Sequence, residues 1–173
     1  MLLFLIIVAI YVFAPYGLKL WFPYYYQNNI EYYAKQSQLD SLFVASVIRV
    51  ESKFNPMAES NRGARGLMQL MPETAQWVAG QLDILYEKDR LFEPDYNIRL
   101  GCWYLANLFQ EFDDNSAMVL AAYNGGRGNV NKWLESGIWS GKLKDIDSIP
   151  YQETRYFIKR VNITTKMYYN LYG

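Results

Sequence analysis

The segment from Glu51 to Ala75 constrains the fold of this chain more than any other. It places a single carboxylate at the end of an apolar run and follows it with a loop that contains Gly63 and Gly66. Asp40 stands directly before the apolar run and is a good helix N-cap, so the pattern predicts a helix over residues 41–53. The glycines allow the loop backbone to approach a ligand or another element closely. The sequence therefore predicts a helix that presents one acid to the edge of a glycine-containing loop.

The rest of the chain also has the pattern of helices joined by turns. Further helices are predicted over residues 72–78, 97–112, 116–122 and 151–172, with a short turn at 130–134. Alternation of apolar and polar residues with a period of two is nearly absent, which argues against a sheet. A β-ribbon between residues 54 and 70 is possible but too short to assign. We therefore expect a mostly α domain.

The amino terminus is strongly apolar. Residues 2–14 form an unbroken apolar run, and no charged side chain precedes Lys19. Extended through Phe22, the segment approaches the ~20 residues that span a bilayer. Trp21 and residues 24–26, all tyrosine, follow as an interfacial aromatic belt would. We expect residues 1–22 to form a transmembrane anchor.

Two other interpretations of the amino terminus remain open. A cleaved signal peptide fits less well, because the segment has no basic region before the apolar run and no small-residue cleavage site after it. A buried core helix would be interrupted by Pro15 and Gly17.

Composition limits the chemistry that the chain can perform. There is no histidine and only one cysteine, Cys102, which excludes a Ser-His-Asp triad, a Cys-His pair and a histidine-based metal site. Seventeen basic residues balance seventeen acidic ones, so no global field would attract nucleic acid. Proton transfer in an enzyme of this composition must depend on carboxylates, with help from tyrosine or lysine.

Glu51 is the candidate for that carboxylate. It lies where the negative end of the helix dipole and apolar neighbours both disfavour ionisation, which raises the pKa as a general acid requires. Ser60 and Gln69 add neutral donors and acceptors suited to hydroxyl and acetamido groups. The alternative is a solvated glutamate at a frayed helix end, with the glycines serving only tight turns.

The order and spacing of these residues resemble the catalytic domain of the soluble lytic transglycosylases, a family related to goose-type lysozymes. The resemblance extends over residues 32–172 and is carried by five blocks. They are Glu51-Ser-x-Phe-x-Pro-x-Ala-x-Ser60, Gly63-Ala-x-Gly-Leu-Met-Gln-Leu-Met-Pro-x-Thr-Ala75, Pro94-x-Tyr-Asn97 with Gly101-x-x-Tyr-Leu105, Ala121-Ala-Tyr-Asn-Gly-Gly126, and Pro150-x-x-Glu-Thr-Arg-x-Phe157. In the last block Phe157 stands where the family more commonly has tyrosine.

The resemblance implies a compact, lysozyme-like helical domain with a substrate cleft, in which Glu51 is the catalytic acid and base. The residues that would line the cleft or support the acid are Ser60, Gln69, Met71, Ala122, Tyr123, Asn124 and Glu153. Tyr123 is also compatible with core packing, and Glu153 with a residue favoured in the first turn of a helix. The domain would occupy residues 37–173, after an anchor over residues 1–22 and a juxtamembrane helix over residues 23–36.

The activity implied is cleavage of peptidoglycan between N-acetylmuramic acid and N-acetylglucosamine, with formation of a 1,6-anhydro end and without a metal or organic cofactor. One alternative is a goose-type muramidase, which uses a second carboxylate to activate water; Glu73, Asp95 and Glu153 are the candidates. Another alternative is a non-catalytic module that binds the cell wall.

The expected partners are peptidoglycan glycan strands and the cytoplasmic membrane, with no nucleic acid. Lys19 and Lys35 follow the apolar run, which by the positive-inside rule weakly favours a cytoplasmic domain. The implied substrate lies outside the cytoplasm. We therefore expect a single-pass membrane protein whose catalytic domain faces the cell wall.

Overall fold

The computed structural model describes residues 17–173, and within them the protein is built from helices. The α-helices are α1 Gln27–Gln36, α2 Ser41–Glu51, α3 Pro72–Gln81, α4 Pro94–Glu111, α5 Ser116–Gly125, α6 Arg127–Glu135 and α7 Gln152–Tyr172. Two 3-10 helices, Lys88–Phe92 and Leu143–Ser148, connect them, and residues 17–21 are also helical. In this described part of the chain, the only β pairing consists of the isolated bridges Glu59–Arg65 and Arg65–Leu70. The mostly α prediction is confirmed.

The helix ends follow local capping chemistry. The carboxylate of Asp40 accepts a hydrogen bond of 2.8 Å from the N–H of Phe43, so α2 begins where the sequence predicts. The cap of α5 is Asn115, one residue before the predicted start, and its side chain accepts from the N–H groups of Ala117 and Met118. Helix α3 extends to Gln81, beyond the predicted end at residue 78.

The core forms around α2, because most of its surface is buried. Leu42, Val44, Ala45, Val47 and Ile48 have almost no exposed surface. The helix packs mainly against α7, which also lies along α5. A helix that is apolar on most sides must be enclosed by others. This enclosure fixes the direction of α2 and therefore the position of Glu51 at its end.

Helix α1 belongs to this same core. Ile30 and Ala34 are fully buried, and α1 packs against α2 and α4. The predicted juxtamembrane segment, residues 23–36, is therefore not separated from the domain in its packing. Most of the predicted anchor lies outside the described residues. From residue 17 onward, no helix has the length and apolar character needed to cross a membrane.

The loop between α2 and α3 is held by a buried asparagine. Asn97, on α4, donates from Nδ2 to the carbonyls of Arg65 and Leu91, at 3.0 and 2.8 Å, and accepts from the N–H of Met68 at 2.8 Å. Gly66 sits directly against this residue with a φ of +77°, and a Cβ there would lie 2.0 Å from the Leu91 oxygen. Close approach and left-handed backbone both require glycine at this position.

Substituting Gly66 should show how far the protein depends on this contact. We expect Gly66→Ala to lower the free energy of unfolding by about 3 kcal/mol or more, because the new methyl group displaces Asn97 or the Leu91 carbonyl. Gly63 is the matched control: its φ is +85°, but nothing lies within 4 Å of the added Cβ. Gly63→Ala should cost only the strain of a left-handed backbone, about 1–2 kcal/mol. Equal losses for the two variants in denaturant titrations would contradict the role of Asn97.

Candidate active site

A groove opens where α2 ends. Its volume is about 620 Å³, and Glu51 lies on its wall. The lining residues come from α2, the α2–α3 loop, α5 and α7: Val50, Glu51, Ser60, Gln69, Asn124, Gln152, Glu153, Tyr156, Phe157 and Arg160. A second depression of about 380 Å³ shares Glu51 with the first and adds Met71, Thr74, Tyr104 and Tyr123. Glu51 is thus common to both parts of one elongated cleft.

Burial governs the ionisation of Glu51. Its side chain is only partly exposed, and its pKa is raised from 4.5 to about 8, chiefly because burial removes solvation from the charged form. Within this shift, the negative charge of Glu153 also raises the pKa, whereas the positive charge of Arg160 lowers it. A carboxyl group with this pKa is protonated at neutral pH and can therefore donate a proton.

On the loop side of the cleft, Ser60 and Gln69 hold the backbone in shape. The Oγ atom of Ser60 accepts from the N–H of Ala64 at 3.0 Å. Gln69 has a left-handed backbone with a φ of +47°, and its Nε2 donates to the carbonyls of Ala58 and Gly66 at 3.0 and 2.9 Å. Because these bonds use the amide nitrogen, the side-chain oxygen of Gln69 stays available as an acceptor in the cleft.

Met71 lies at the start of α3, where the loop ends. Its side chain is 37% exposed and lines the second depression. With Leu70 and Ala64, it gives this side of the cleft an apolar surface.

The α5 side of the cleft is formed by Tyr123 and Asn124. The hydroxyl of Tyr123 donates to the carbonyl of Met68 at 2.7 Å, and its ring stacks on Phe157 with a centroid distance of 6.3 Å. Asn124 accepts from the hydroxyl of Thr154 at 2.8 Å, which joins α5 to α7. Ala122 is fully buried and is not among the residues that line the cleft.

Helix α7 contributes one face to the cleft. Glu153, Tyr156, Phe157 and Arg160 follow the i, i+3, i+4, i+7 spacing of residues that share a helix face. Of these four residues of α7, the sequence predicted only Glu153 as a site residue. The same spacing, counted forward from Glu153, would have indicated Tyr156 and Arg160 as its neighbours.

Of the three candidates for a second catalytic carboxylate, only one lies in the cleft. Asp95 accepts hydrogen bonds from Asn29 and Tyr33, both at 2.9 Å, and lies outside the cleft lining. Glu73, in the first turn of α3, is exposed and also outside it. Glu153 lines the cleft, exposed and 4.0 Å from Arg62. Among residues 17–173 no cluster of histidine, cysteine, aspartate and glutamate is suited to a metal ion.

A helical domain with one partly buried carboxyl group in an open cleft is an architecture of lysozyme type. This chain belongs to the transglycosylase SLT domain family, whose model matches residues 28–146. It is 35% identical to the soluble lytic murein transglycosylase of Salmonella typhimurium, over 83% of this chain and 24% of the relative. It is 29% identical to the membrane-bound lytic murein transglycosylase C of Haemophilus ducreyi, over 80% of this chain and 44% of the relative.

A solved structure agrees with the fold. An inactive glutamate-to-glutamine mutant of the lytic transglycosylase Slt from Pseudomonas aeruginosa superposes with a TM-score of 0.80 and 34% identity, over 89% of this chain and 25% of that one. The chain spans about a quarter of the length of the soluble relatives that it matches. The similarity therefore concerns one domain of those larger proteins.

The raised pKa of Glu51 predicts a specific pH dependence of stability. Between pH 4.5 and about 8 the folded protein retains a proton that the unfolded chain has lost, so the free energy of unfolding falls as the pH rises through this interval. Glu51→Gln removes the titrating group. The variant should match the wild type near pH 4 and be the more stable of the two at pH 8, as measured by denaturant titration.

The control for this measurement is Glu73→Gln, which alters an exposed carboxylate in the first turn of α3. It should leave the difference between pH 4 and pH 8 unchanged. A Glu51→Gln variant that follows the wild-type pH dependence would show that Glu51 is solvated.

Proposed function

We propose that this chain is a peptidoglycan lytic transglycosylase that cleaves the β-1,4 bond between N-acetylmuramic acid and N-acetylglucosamine. The observation that carries the proposal is the single carboxyl group, Glu51, that burial keeps protonated in an open cleft. The names of the relatives, all murein transglycosylases, support the same activity. The inactive glutamate-to-glutamine mutant of the Pseudomonas aeruginosa protein supports a glutamate in the central role.

In the first step, protonated Glu51 donates its proton to the glycosidic oxygen while the bond from that oxygen to C1 of muramic acid breaks. The N-acetylglucosamine side leaves as an alcohol. The carbonyl oxygen of the 2-acetamido group on the muramic acid stabilises the positive charge at C1, which replaces a second carboxylate. Gln69, Asn124 and Ser60 lie around the same cleft and supply neutral groups for the sugar hydroxyls and amides.

In the second step, ionised Glu51 takes the proton from the C6 hydroxyl of the same sugar as that oxygen bonds to C1. The ring closes as a 1,6-anhydro product, Glu51 is protonated again, and no water is consumed. The nucleophile is already part of the bound sugar, so the entropy cost of capturing a water molecule is avoided. Burial serves this step too, because a carboxylate in a poorly solvated site is a stronger base.

The other cleft residues either hold the cleft in shape or influence the ionisation of Glu51. Tyr123 acts through its bond to Met68 by fixing the loop that carries Gln69. Met71 and Ala122, which the family resemblance also implicates, contribute apolar contact at the cleft and packing beneath it. Glu153 adds to the effect of burial in keeping Glu51 protonated, because its negative charge disfavours a second one nearby.

The position of Glu153 also favours a second candidate, a hydrolytic muramidase of the goose type. As the only one of the three candidate carboxylates that lines the cleft, it is the group that would activate water. The two reactions differ in the fate of water: hydrolysis leaves a reducing end on muramic acid, and the transglycosylase reaction leaves an anhydro end.

For its location, we propose that residues 1–22 anchor the chain in the cytoplasmic membrane, with residues 37–173 facing the peptidoglycan. The uncharged apolar run and its aromatic flank support this assignment. A membrane-bound relative of similar sequence is consistent with it. The reaction as written uses only side chains and substrate groups, so it needs neither a cofactor nor a nucleic-acid partner.

Two substitutions should separate the roles of the carboxylates. Glu51→Gln should lower turnover of purified cell wall by ~10²–10⁴-fold or more, because the proposed mechanism has no other proton donor. Glu153→Gln should retain turnover but move the alkaline limit of kcat/KM to lower pH, because removing a negative charge lowers the pKa of Glu51. A Glu153→Gln variant as inactive as Glu51→Gln would instead support the muramidase.

The product identifies the reaction directly. Digestion of purified cell wall in ¹⁸O-labelled water should release muropeptides that contain no label and that resist borohydride reduction at muramic acid. Mass spectrometry distinguishes this product from the hydrolytic one by the mass of one water. Reducible ends that carry ¹⁸O would contradict the transglycosylase proposal.

A further inference from the structure

The residues that directly follow the apolar run are tied to the domain through their backbone. Three consecutive carbonyl groups each accept a hydrogen bond from a side chain of α2 or α7. Arg49 donates to the carbonyl of Trp21 at 3.0 Å, Tyr172 to that of Phe22 at 2.7 Å, and Tyr168 to that of Pro23 at 2.5 Å. We call residues 17–25 the strap.

Aromatic packing holds the strap from its inner side. Phe22 and Tyr24 meet the ring of Tyr168 edge to face, with centroids 6.3 and 6.0 Å apart, and Tyr24 also contacts Tyr172 at 5.5 Å. The ammonium group of Lys19 lies 4.8 Å from the centre of the Tyr172 ring. Edge-to-face pairs and a cation over a ring are directional contacts, so the strap has a defined orientation on α7.

The outer side of the strap is apolar and exposed. Leu20, Trp21 and Tyr25 are 83%, 74% and 59% exposed. The aromatic belt expected from the sequence thus divides: Trp21 and Tyr25 point to solvent, whereas Tyr24 and Tyr26 pack on the core. Trp and Tyr on such a surface are typical of the headgroup region of a bilayer.

The charge of this segment also favours contact with a lipid bilayer. Between residues 1 and 30 the only charged side chain is Lys19, and a cation beside an apolar surface suits anionic lipid headgroups. The apolar run over residues 2–14 leads directly into this surface. An exposed tryptophan alone has many explanations. Here it follows an apolar run that has the composition of a membrane-spanning segment, and this favours the lipid bilayer as the partner of the exposed surface.

We propose that the strap is a rigid membrane mount: its outer side rests in the lipid headgroup region, and its inner side fixes the catalytic domain at a set height above the bilayer. This inference depends on the proposed anchor but not on the reaction that the cleft performs. A flexible linker between anchor and domain would let the cleft reach glycan at many heights. The strap instead restricts it to glycan strands next to the membrane.

Helix α7 connects the mount to the cleft. Its amino-terminal part carries Glu153 and Arg160 in the cleft wall, and its carboxyl-terminal part carries Tyr168 and Tyr172 against the strap. Arg160 and Tyr168 are separated by about 12 Å along the helix axis, at 1.5 Å per residue. On this proposal, the short length of α7 between the strap and the cleft holds the near end of the cleft close to the lipid surface, within reach of membrane-proximal peptidoglycan.

The first experiment tests the lipid contact. The full chain is reconstituted in phospholipid vesicles, and the fluorescence of Trp21 is isolated as the difference between the wild type and Trp21→Phe. Lipids brominated near the headgroup end of their acyl chains should quench this difference signal strongly, and lipids brominated near the chain terminus should quench it weakly. Failure of the chain to float with the vesicles, or a Trp21 signal that neither lipid quenches, would overturn the proposal.

The second experiment tests rigidity. A dye is attached to Lys144→Cys, an exposed position. Time-resolved energy transfer then measures the distance between this dye and acceptors in the headgroup layer. The native Cys102 is fully buried, which limits its labelling. Tyr168→Phe with Tyr172→Phe keeps both rings but removes two of the three carbonyl bonds. This pair should broaden the distance distribution at least twofold, while Tyr169→Phe, a control on the same helix, should not.

Turnover of soluble glycan is measured on the same samples and should be unchanged by the two substitutions. An equally narrow distribution in the double variant, or an equally broad one in the wild type, would show that the strap does not mount the domain. Absence of turnover in all samples would count against the proposed reaction and leave the conclusion on the strap intact.

Discussion

The shape of the cleft depends on how the backbone of one residue in the α2–α3 loop, Met68, is held. Met68 donates its N–H to Asn97 on α4, and its carbonyl accepts from the hydroxyl of Tyr123 on α5. The next residue is Gln69, whose left-handed backbone places its amide among the cleft residues. Both partners of Met68 are polar groups in a largely apolar interior, where an unpaired group would be costly. Two helices of the core thereby determine where the loop faces Glu51.

The chemistry depends on a second constraint, the low solvation of Glu51. Helix α2 is enclosed by its neighbours, so its last residue emerges where protein still surrounds the carboxyl group. Burial is the largest contribution to the raised pKa, and the charges of Glu153 and Arg160 adjust it in opposite directions. A charged lysine in place of Glu153 would reverse one of these effects. The same core that stabilises the fold thus sets the protonation state needed for general acid catalysis.

Much of this architecture could be predicted from sequence, and the reasons are local. The capping of α2 by Asp40, the helical spacing of α7 and the glycines of the loop are short-range signals. The contacts of Asn97 were not predictable in the same way, because they join residues about thirty positions apart through a buried side chain. Arg160 and Tyr156 could have been found by helical spacing from Glu153, but only because the family resemblance had already placed Glu153 at the cleft.

The position of Tyr123 illustrates the difference between identifying a residue and deriving its role. Family resemblance implies that it supports the acid, and its ring does border the cleft. Its hydroxyl, however, donates to a loop carbonyl, a contact that depends on tertiary structure. The division of the aromatic belt between solvent and core also depends on where α7 ends, which local sequence does not specify.

The central claim is that burial keeps Glu51 protonated at neutral pH, and titration of that carboxyl group by NMR tests it most directly. The protein is labelled with ¹³C at the side-chain carboxyl carbon of glutamate. The resonance of Glu51 is identified as the one that is absent from the spectrum of Glu51→Gln. Our account predicts a single transition with a pKa of about 8 for this resonance. A transition near the ordinary value of 4.5 would contradict it, because Glu51 would then be ionised at neutral pH and could not serve as the acid.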